Sequence, residues 1–241
     1  MKAAVILPAA GLGTRMGRST AERSGTSRKQ FMLLDGSPIL LHTIRKFVAS
    51  PPVSEIIVAL RPEDLVWVGE MLHREGLSKP VRLVEGGSTR QESVYNALVS
   101  LPADTGLVVV HDAVRPFIDL GTIDKVIQEA ARTGAAIVGI VPVDTVKTLR
   151  KNKIRGTVPR ESLALAQTPQ VFHYALLMEA FRKAREDGFI GTDESTLVER
   201  LETVEVSVVL GSDRNIKITN PSDMNLARLF LSEEARERKA L

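Results

Sequence analysis

The chain has 241 residues, 44% of them hydrophobic, and a formal net charge of +3 at neutral pH. That length can bury a substantial core as one domain over residues 1–241, and so small and dispersed a positive charge excludes a nucleic-acid-binding face. Cysteine is absent, which excludes disulfides, thiolate metal sites and a cysteine nucleophile; no apolar run approaches the roughly 20 residues of a membrane span and no charged, cleavable leader opens the chain, so a cytoplasmic protein without membrane contact is expected.

The apolar run at 2–7 predicts a buried strand. It leads into Pro8-Ala9-Ala10-Gly11-Leu12-Gly13-Thr14-Arg15-Met16-Gly17, where glycines let backbone N–H groups turn towards an anion without a Cβ in the way. Arg15 adds a permanent positive charge. The spacing fits neither a Walker A loop nor the Gly-x-Gly-x-x-Gly dinucleotide fingerprint. What remains is a loop for a nucleoside triphosphate, with a structural turn as the alternative for the glycines taken alone. Residues 18–28 are polar and lack large apolar groups, which predicts a mobile surface loop able to close over the triphosphate.

Helical patterns near 38–49, 62–74, 91–100, 119–132, 173–187 and 221–231 then alternate with strand-like runs at 55–60, 81–84, 107–111, 135–141 and 204–210. Repeated β-α units of this kind predict an α/β fold, a Rossmann-like, doubly wound and mostly parallel sheet. Such sheets bind ligands beyond the carboxyl ends of the strands, where strand order reverses. Segments 8–17, 85–93 and 111–116 each follow a strand, so topology brings them to one edge. Gly86 to Arg90 with Ser93 either reads a base or simply starts a helix. Asp112, at a strand end, offers a hard carboxylate to Mg²⁺, the local alternative being a turn cap or a pair with Arg115. His111 is given no catalytic role, and Asp213 reads as a turn residue. Residues 142–160 break the alternation. Val143 to Leu149 alternates polar with apolar and Lys151-Asn152-Lys153 turns the chain back, predicting a projecting β-arm that needs something to pack on.

The loop at 8–17 resembles the signature of the nucleotidyltransferases that activate sugar and polyol phosphates. Four further segments narrow the resemblance: Glu85-Gly86-Gly87-Ser88-Thr89-Arg90-Gln91-Glu92-Ser93-Val94, His111-Asp112-Ala113-Val114-Arg115-Pro116, Ala166-Gln167-Thr168-Pro169-Gln170, and Asn215-Ile216-Lys217-Ile218-Thr219 followed by Pro221-Ser222-Asp223. In order and spacing, over nearly the whole chain, they resemble the methylerythritol phosphate cytidylyltransferases of the non-mevalonate isoprenoid route. The resemblance implies CTP and a polyol phosphate as substrates, Mg²⁺ as cofactor, and Arg15, Lys29 and Lys217 as catalytic cations. It places Pro8, Ala9, Ala10, Gly11, Gly13, Gly87, Ser93 and Ala113 around the nucleotide, and Arg115, Thr145 and Arg160 on the acceptor. It also implies a homodimer whose arm reaches the partner's active site. This chain departs from the family pattern in a longer 18–28 loop and in Arg28, where a proline often precedes the lysine. Ribitol phosphate cytidylyltransferase is the near rival; a nucleotide-binding module without turnover is the rival from another class. Transfer of a nucleotidyl group calls for positioned cations rather than a covalent nucleophile.

Overall fold

The computed structural model describes residues 2–11 and 28–240. Strand β1 (Ala3–Pro8) is buried from Ala3 to Leu7, because it lies inside a seven-stranded sheet and meets helices on both faces. Its side chains alternate between two cores. Ala3, Val5 and Leu7 pack with Leu40, Phe47, Val68 and Val126; Ala4 and Ile6 pack with Val94, Leu98, Leu177 and Phe181. A strand with both faces apolar reads as an unbroken hydrophobic run, as this one does.

From β1 the chain passes through a 3-10 turn at Lys29–Phe31, the short pair β2 (Leu33–Leu34) and β3 (Ser37–Pro38), and helix α1 (Ile39–Ala49). There follow β4 (Val53–Leu60), α2 (Pro62–Glu75), β5 (Val81–Glu85), α3 (Arg90–Val99), β6 (Leu107–Val110), α4 (Leu120–Thr133) and β7 (Ala135–Ile140). The ribbon β8 (Val146–Arg150) and β9 (Lys153–Val158) precedes β10 (Leu165–His173), α5 (Tyr174–Glu186), the short α6 (Glu194–Glu199), β11 (Ser207–Leu210) and α7 (Pro221–Ala240). The sheet order is β11-β7-β10-β6-β1-β4-β5, all parallel except β10, which runs antiparallel to both its neighbours. Chain order moves outward from β1 through β4 to β5 and then returns to β6 on the other side of β1. The reversal therefore falls between β1 and β6, and the loops after them open at one place.

Two differences from the sequence reading have physical reasons. Strand β10 was not expected, because Gln167, Thr168 and Pro169 interrupt its apolar pattern and proline is out of place in a central strand. The ladder with β7 shifts register between Ala166 and Gln170, and Pro169 sits in that break. Helix α6 is too short to display a helical period; Asp193 caps it, accepting from Thr196 N–H at 3.0 Å. The expected hairpin is present as β8 and β9, which pair only with each other. Its turn residues Lys151 and Asn152 have φ of 48° and 59°, the left-handed pair that a tight two-residue hairpin turn requires.

No helix among the described residues is long and apolar enough to cross a membrane.

Candidate active site

A cleft of about 670 Å³ opens at the carboxyl ends of β1, β4, β5 and β6, lined by Pro8 to Gly11, Lys29, Arg61, Gly86 to Arg90, Ser93, Asp112 to Val114 and Lys217. Gln30 supports its floor: the buried amide donates to the carbonyls of Ala9 at 2.7 Å and Gly11 at 3.1 Å. Sequence-predicted residues Pro8, Ala9, Ala10, Gly11, Lys29, Gly87, Ser93, Asp112, Ala113 and Lys217 thus come together in one place. Gly13, Arg15 and the rest of 12–27 lie outside the described residues. Thr145 and Arg160 are exposed at the ends of the ribbon and do not line this cleft; Arg160 Nη1 donates to the Val143 carbonyl at 3.2 Å. Asp213 is exposed in its turn.

The loop at 86–93 is built by the start of α3. Thr89 caps the helix by accepting from Glu92 N–H at 3.0 Å, and Glu92 reaches back to accept from Ser88 N–H at 2.8 Å, a near relative of the capping box. Ser93 Oγ accepts from Gly87 N–H at 3.0 Å and donates to the Thr89 carbonyl at 2.8 Å. The hydroxyl therefore shapes the loop that walls the cleft. At Gly86 a Cβ would stand 2.6 Å from Ala10 Cβ and 3.3 Å from the Leu60 carbonyl oxygen. Gly86→Ala is expected to displace Ala10 at an overpacking cost of about 1–3 kcal/mol, and to raise the KM for the nucleotide that the resemblance implies roughly 10-fold with a smaller change in kcat. Unchanged steady-state kinetics would show that the Ala10 wall does not contact the nucleotide.

Asp112 is the electrostatic centre. Oδ1 accepts from Arg90 Nε at 3.2 Å, while Oδ2 meets Lys217 Nζ at 2.8 Å and Arg115 Nε at 3.4 Å. Burial would raise its pKa, but the three cations outweigh burial and hold the carboxyl far below the usual range. Arg90 turns its Nη1 to the other side, onto Glu194 Oε1 at 2.7 Å and Oε2 at 3.0 Å. Burial pushes the Glu194 carboxyl up, with the guanidinium pulling against it. Arg115 Nη1 donates to the Asn215 carbonyl at 2.7 Å, which ties the Lys217 segment to the strand end that carries Asp112.

Behind Asp112 lies His111, fully buried. Its Nε2 is 3.0 Å from the Arg115 carbonyl oxygen, which can only accept, so Nε2 carries the proton and Nδ1 is the acceptor. Thr168 Oγ1, 3.1 Å from Nδ1, donates to it and accepts from Asp112 N–H at 3.0 Å. Burial lowers the His111 pKa to about 4. The imidazole is a neutral structural bridge between the Arg115 carbonyl and Thr168.

Sequence reasoning quoted Arg90, Thr168 and Asn215 within motifs without assigning them work, and did not reach Glu194 at all. Arg90 was open to discovery, as a cation one residue past a cap beside the expected phosphate edge. Glu194 was not, since its partner lies 104 residues away.

The family model for IspD, 2-C-methyl-D-erythritol 4-phosphate cytidylyltransferase, matches residues 3–233. A protein of that description from Solibacter usitatus is 65% identical over 98% of both chains, and one from Acidobacterium capsulatum is 45% identical over 98% of this chain and 99% of the other. Among solved structures, the 4-diphosphocytidyl-2C-methyl-D-erythritol synthase of Anaerococcus prevotii superposes with a TM-score of 0.83 at 29% identity, covering 96% of this chain and 98% of that one. The Thermus thermophilus cytidylyltransferase does so with a TM-score of 0.74 at 33% identity, over 95% of this chain and 98% of that one. Matched over residues 3–233 by the family model and 65% identical over nearly its whole length to such a relative, the chain belongs to the 2-C-methyl-D-erythritol 4-phosphate cytidylyltransferase family.

Proposed function

We propose that this chain transfers CMP from CTP to 2-C-methyl-D-erythritol 4-phosphate, giving 4-CDP-2-C-methyl-D-erythritol and pyrophosphate. An oxygen of the acceptor phosphate forms a bond to the α-phosphorus of CTP as the bond from that phosphorus to the bridging oxygen of pyrophosphate breaks. Negative charge grows on the departing pyrophosphate. The observation that carries the reading is the gathering of Lys29 and Lys217 with the backbone of Pro8 to Gly11 in one cleft, where fixed cations stabilise such charge without reorganisation. Small side chains at Ala9, Ala10, Gly87 and Ala113 leave room for a pyrimidine nucleoside. Arg15 belongs to the same phosphate set.

Asp112 suits Mg²⁺ in part. Its carboxylate has about four lone-pair directions, three of them directed to Arg90, Arg115 and Lys217, so one is left to a metal whose other ligands are phosphate oxygens and water. No group of three or more metal-ligating side chains occurs among the described residues, in keeping with an ion brought in on the nucleotide. Bound there, Mg²⁺ would neutralise phosphate charge. Lys217, held against Asp112, keeps a cation at the edge of that site.

The acceptor reading includes a homodimer. The ribbon of one copy carries Thr145 and Arg160 to the other copy's cleft, where an arginine can grip the 4-phosphate bidentately. In its support, Leu149 and Ile154 on the ribbon are each 64% exposed and an unpacked two-stranded ribbon is marginally stable.

The test is pyrophosphate release with Mg²⁺ and CTP, offering methylerythritol 4-phosphate or ribitol 5-phosphate, with UTP as control, over a range of enzyme dilution. Turnover with CTP and methylerythritol 4-phosphate that falls on dilution below the dimer dissociation constant is expected. Preference for ribitol 5-phosphate would overturn the acceptor, and full activity of a monomer would overturn the shared site.

A further inference from the structure

Arg28, just before Lys29, is 13% exposed and forms an ion pair through Nη2 with Asp64. Its guanidinium also lies 5.1 Å from the centroid of the Phe31 ring. Asp64 stands in the first turn of α2 and is 1% exposed. Its Oδ1 accepts a second hydrogen bond from Trp67 Nε1 at 3.1 Å, while its Oδ2 has no hydrogen-bond partner among the described residues. Trp67, the sole tryptophan of the chain, sets its ring edge-on to Phe31 at 4.6 Å.

A buried ion pair adds little net stability over apolar side chains of the same volume, and an unpartnered buried oxygen lowers its worth further. An arginine fork gives direction instead. Residues 28–31 are pinned at three points: Arg28 on α2, the Gln30 amide on the carbonyls of Ala9 and Gly11, and Phe31 in the core beneath Trp67. Lys29, between two anchored neighbours, lines the cleft, as do Arg61 and Pro62 where α2 begins. The Arg28 anchor thus fixes the lysine to one wall of the cleft while Gln30 fixes it to the other.

We infer that Arg28 and Asp64 are positioning residues that hold Lys29 at the nucleotide phosphates, with Trp67 as the third member of the anchor. This rests on reading Lys29 as a phosphate-binding cation. The decisive experiment compares the paired apolar replacement Arg28→Met with Asp64→Leu, Lys29→Ala, and all three substitutions together. The pair leaves no lone buried charge, and Asp64→Asn gives a second variant that removes the charge while keeping an acceptor for Trp67. Read-outs are kcat, KM for CTP, the thermal midpoint and Trp67 emission.

The paired replacement is expected to stay folded, to shift Trp67 emission, and to lower kcat by roughly 100-fold, as displacement of a reacting group by about 1 Å does. KM for CTP should change less. Added to Lys29→Ala, the pair should cost almost nothing more, because its effect runs through the lysine. Wild-type kcat in the paired variant, or losses that multiply with Lys29→Ala, would overturn the positioning role. Wild-type kcat in Lys29→Ala alone would instead overturn the phosphate reading of Lys29.

Discussion

Asp112→Asn is expected to lower kcat/KM by about 100- to 1000-fold, equivalent to about 2.7–4 kcal/mol of transition-state stabilisation. The substitution hardly changes shape, so the effect is one of charge and donor pattern. Wild-type Asp112 presents two acceptor oxygens to three cationic donors. An amide must turn its NH₂ towards either Arg90 or the Arg115 and Lys217 pair, setting donor against donor. The remaining oxygen serves Lys217 and Arg115 more favourably, since two donors meet there. Arg90 then keeps only Glu194, and Lys217 loses the charge that holds it at the cleft edge. Folding should suffer less than turnover. Removing one partner of a fully buried pair costs about 3–5 kcal/mol, but Lys217 and Arg90 side chains are 34% and 29% exposed and can turn to water. Steady-state pyrophosphate release and thermal unfolding on the same preparation separate the two losses. Equal retention of kcat/KM and stability would reduce Asp112 to one polar contact among several.

The same cluster shows what a sequence can and cannot disclose. The buried strands were legible because β1, β4 and β6 are apolar on both faces, and the phosphate edge was legible because glycines and small residues follow β1 (Ala9, Ala10, Gly11) and β5 (Gly86, Gly87) directly. Asp112 stood out as a charge at a strand end, whereas the catalytic roles of Lys29 and Lys217 came from the family resemblance. Strand β10 was hidden because its buried polar residues are there for their hydrogen bonds: Thr168 holds the Asp112 amide, and the Gln170 amide donates to Asp193 at 2.8 Å. Polar residues selected for distant partners erase the periodicity that identifies a strand. Ion pairs are worse still for local reading. Arg28 looked like a departure from a pattern, and its meaning lies 36 residues on, at Asp64.

His111 gives the second large effect, in stability. A histidine in the unfolded chain takes up its proton near pH 6.5, whereas the buried imidazole resists until about pH 4. Between those values the unfolded state binds more protons than the native state, so the free energy of unfolding rises with pH across the window. The contribution is complete above about pH 6.5 and is lost as pH falls towards 4. A window of that width corresponds to about 3 kcal/mol at 1.36 kcal/mol per unit, a large share of the stability of an ordinary domain. Asp112 acts in the same direction, its stability being present above the unfolded carboxylate pKa of about 3.9 and lost below it, so the two groups act on opposite sides of pH 4. Urea denaturation at pH 7, 6, 5 and 4 is the measurement. In His111→Gln, whose amide can still donate to the Arg115 carbonyl, the starting stability should be lower and the fall between pH 6.5 and 4 shallower. Parallel curves for wild type and variant would mean that the native imidazole takes up its proton normally. Protonation would also turn Nδ1 into a donor and deprive the Thr168 hydroxyl of its acceptor, loosening the link from β10 to the Asp112 backbone. Loss of turnover through this protonation should therefore set in only as pH approaches about 4, where the native imidazole takes up its proton.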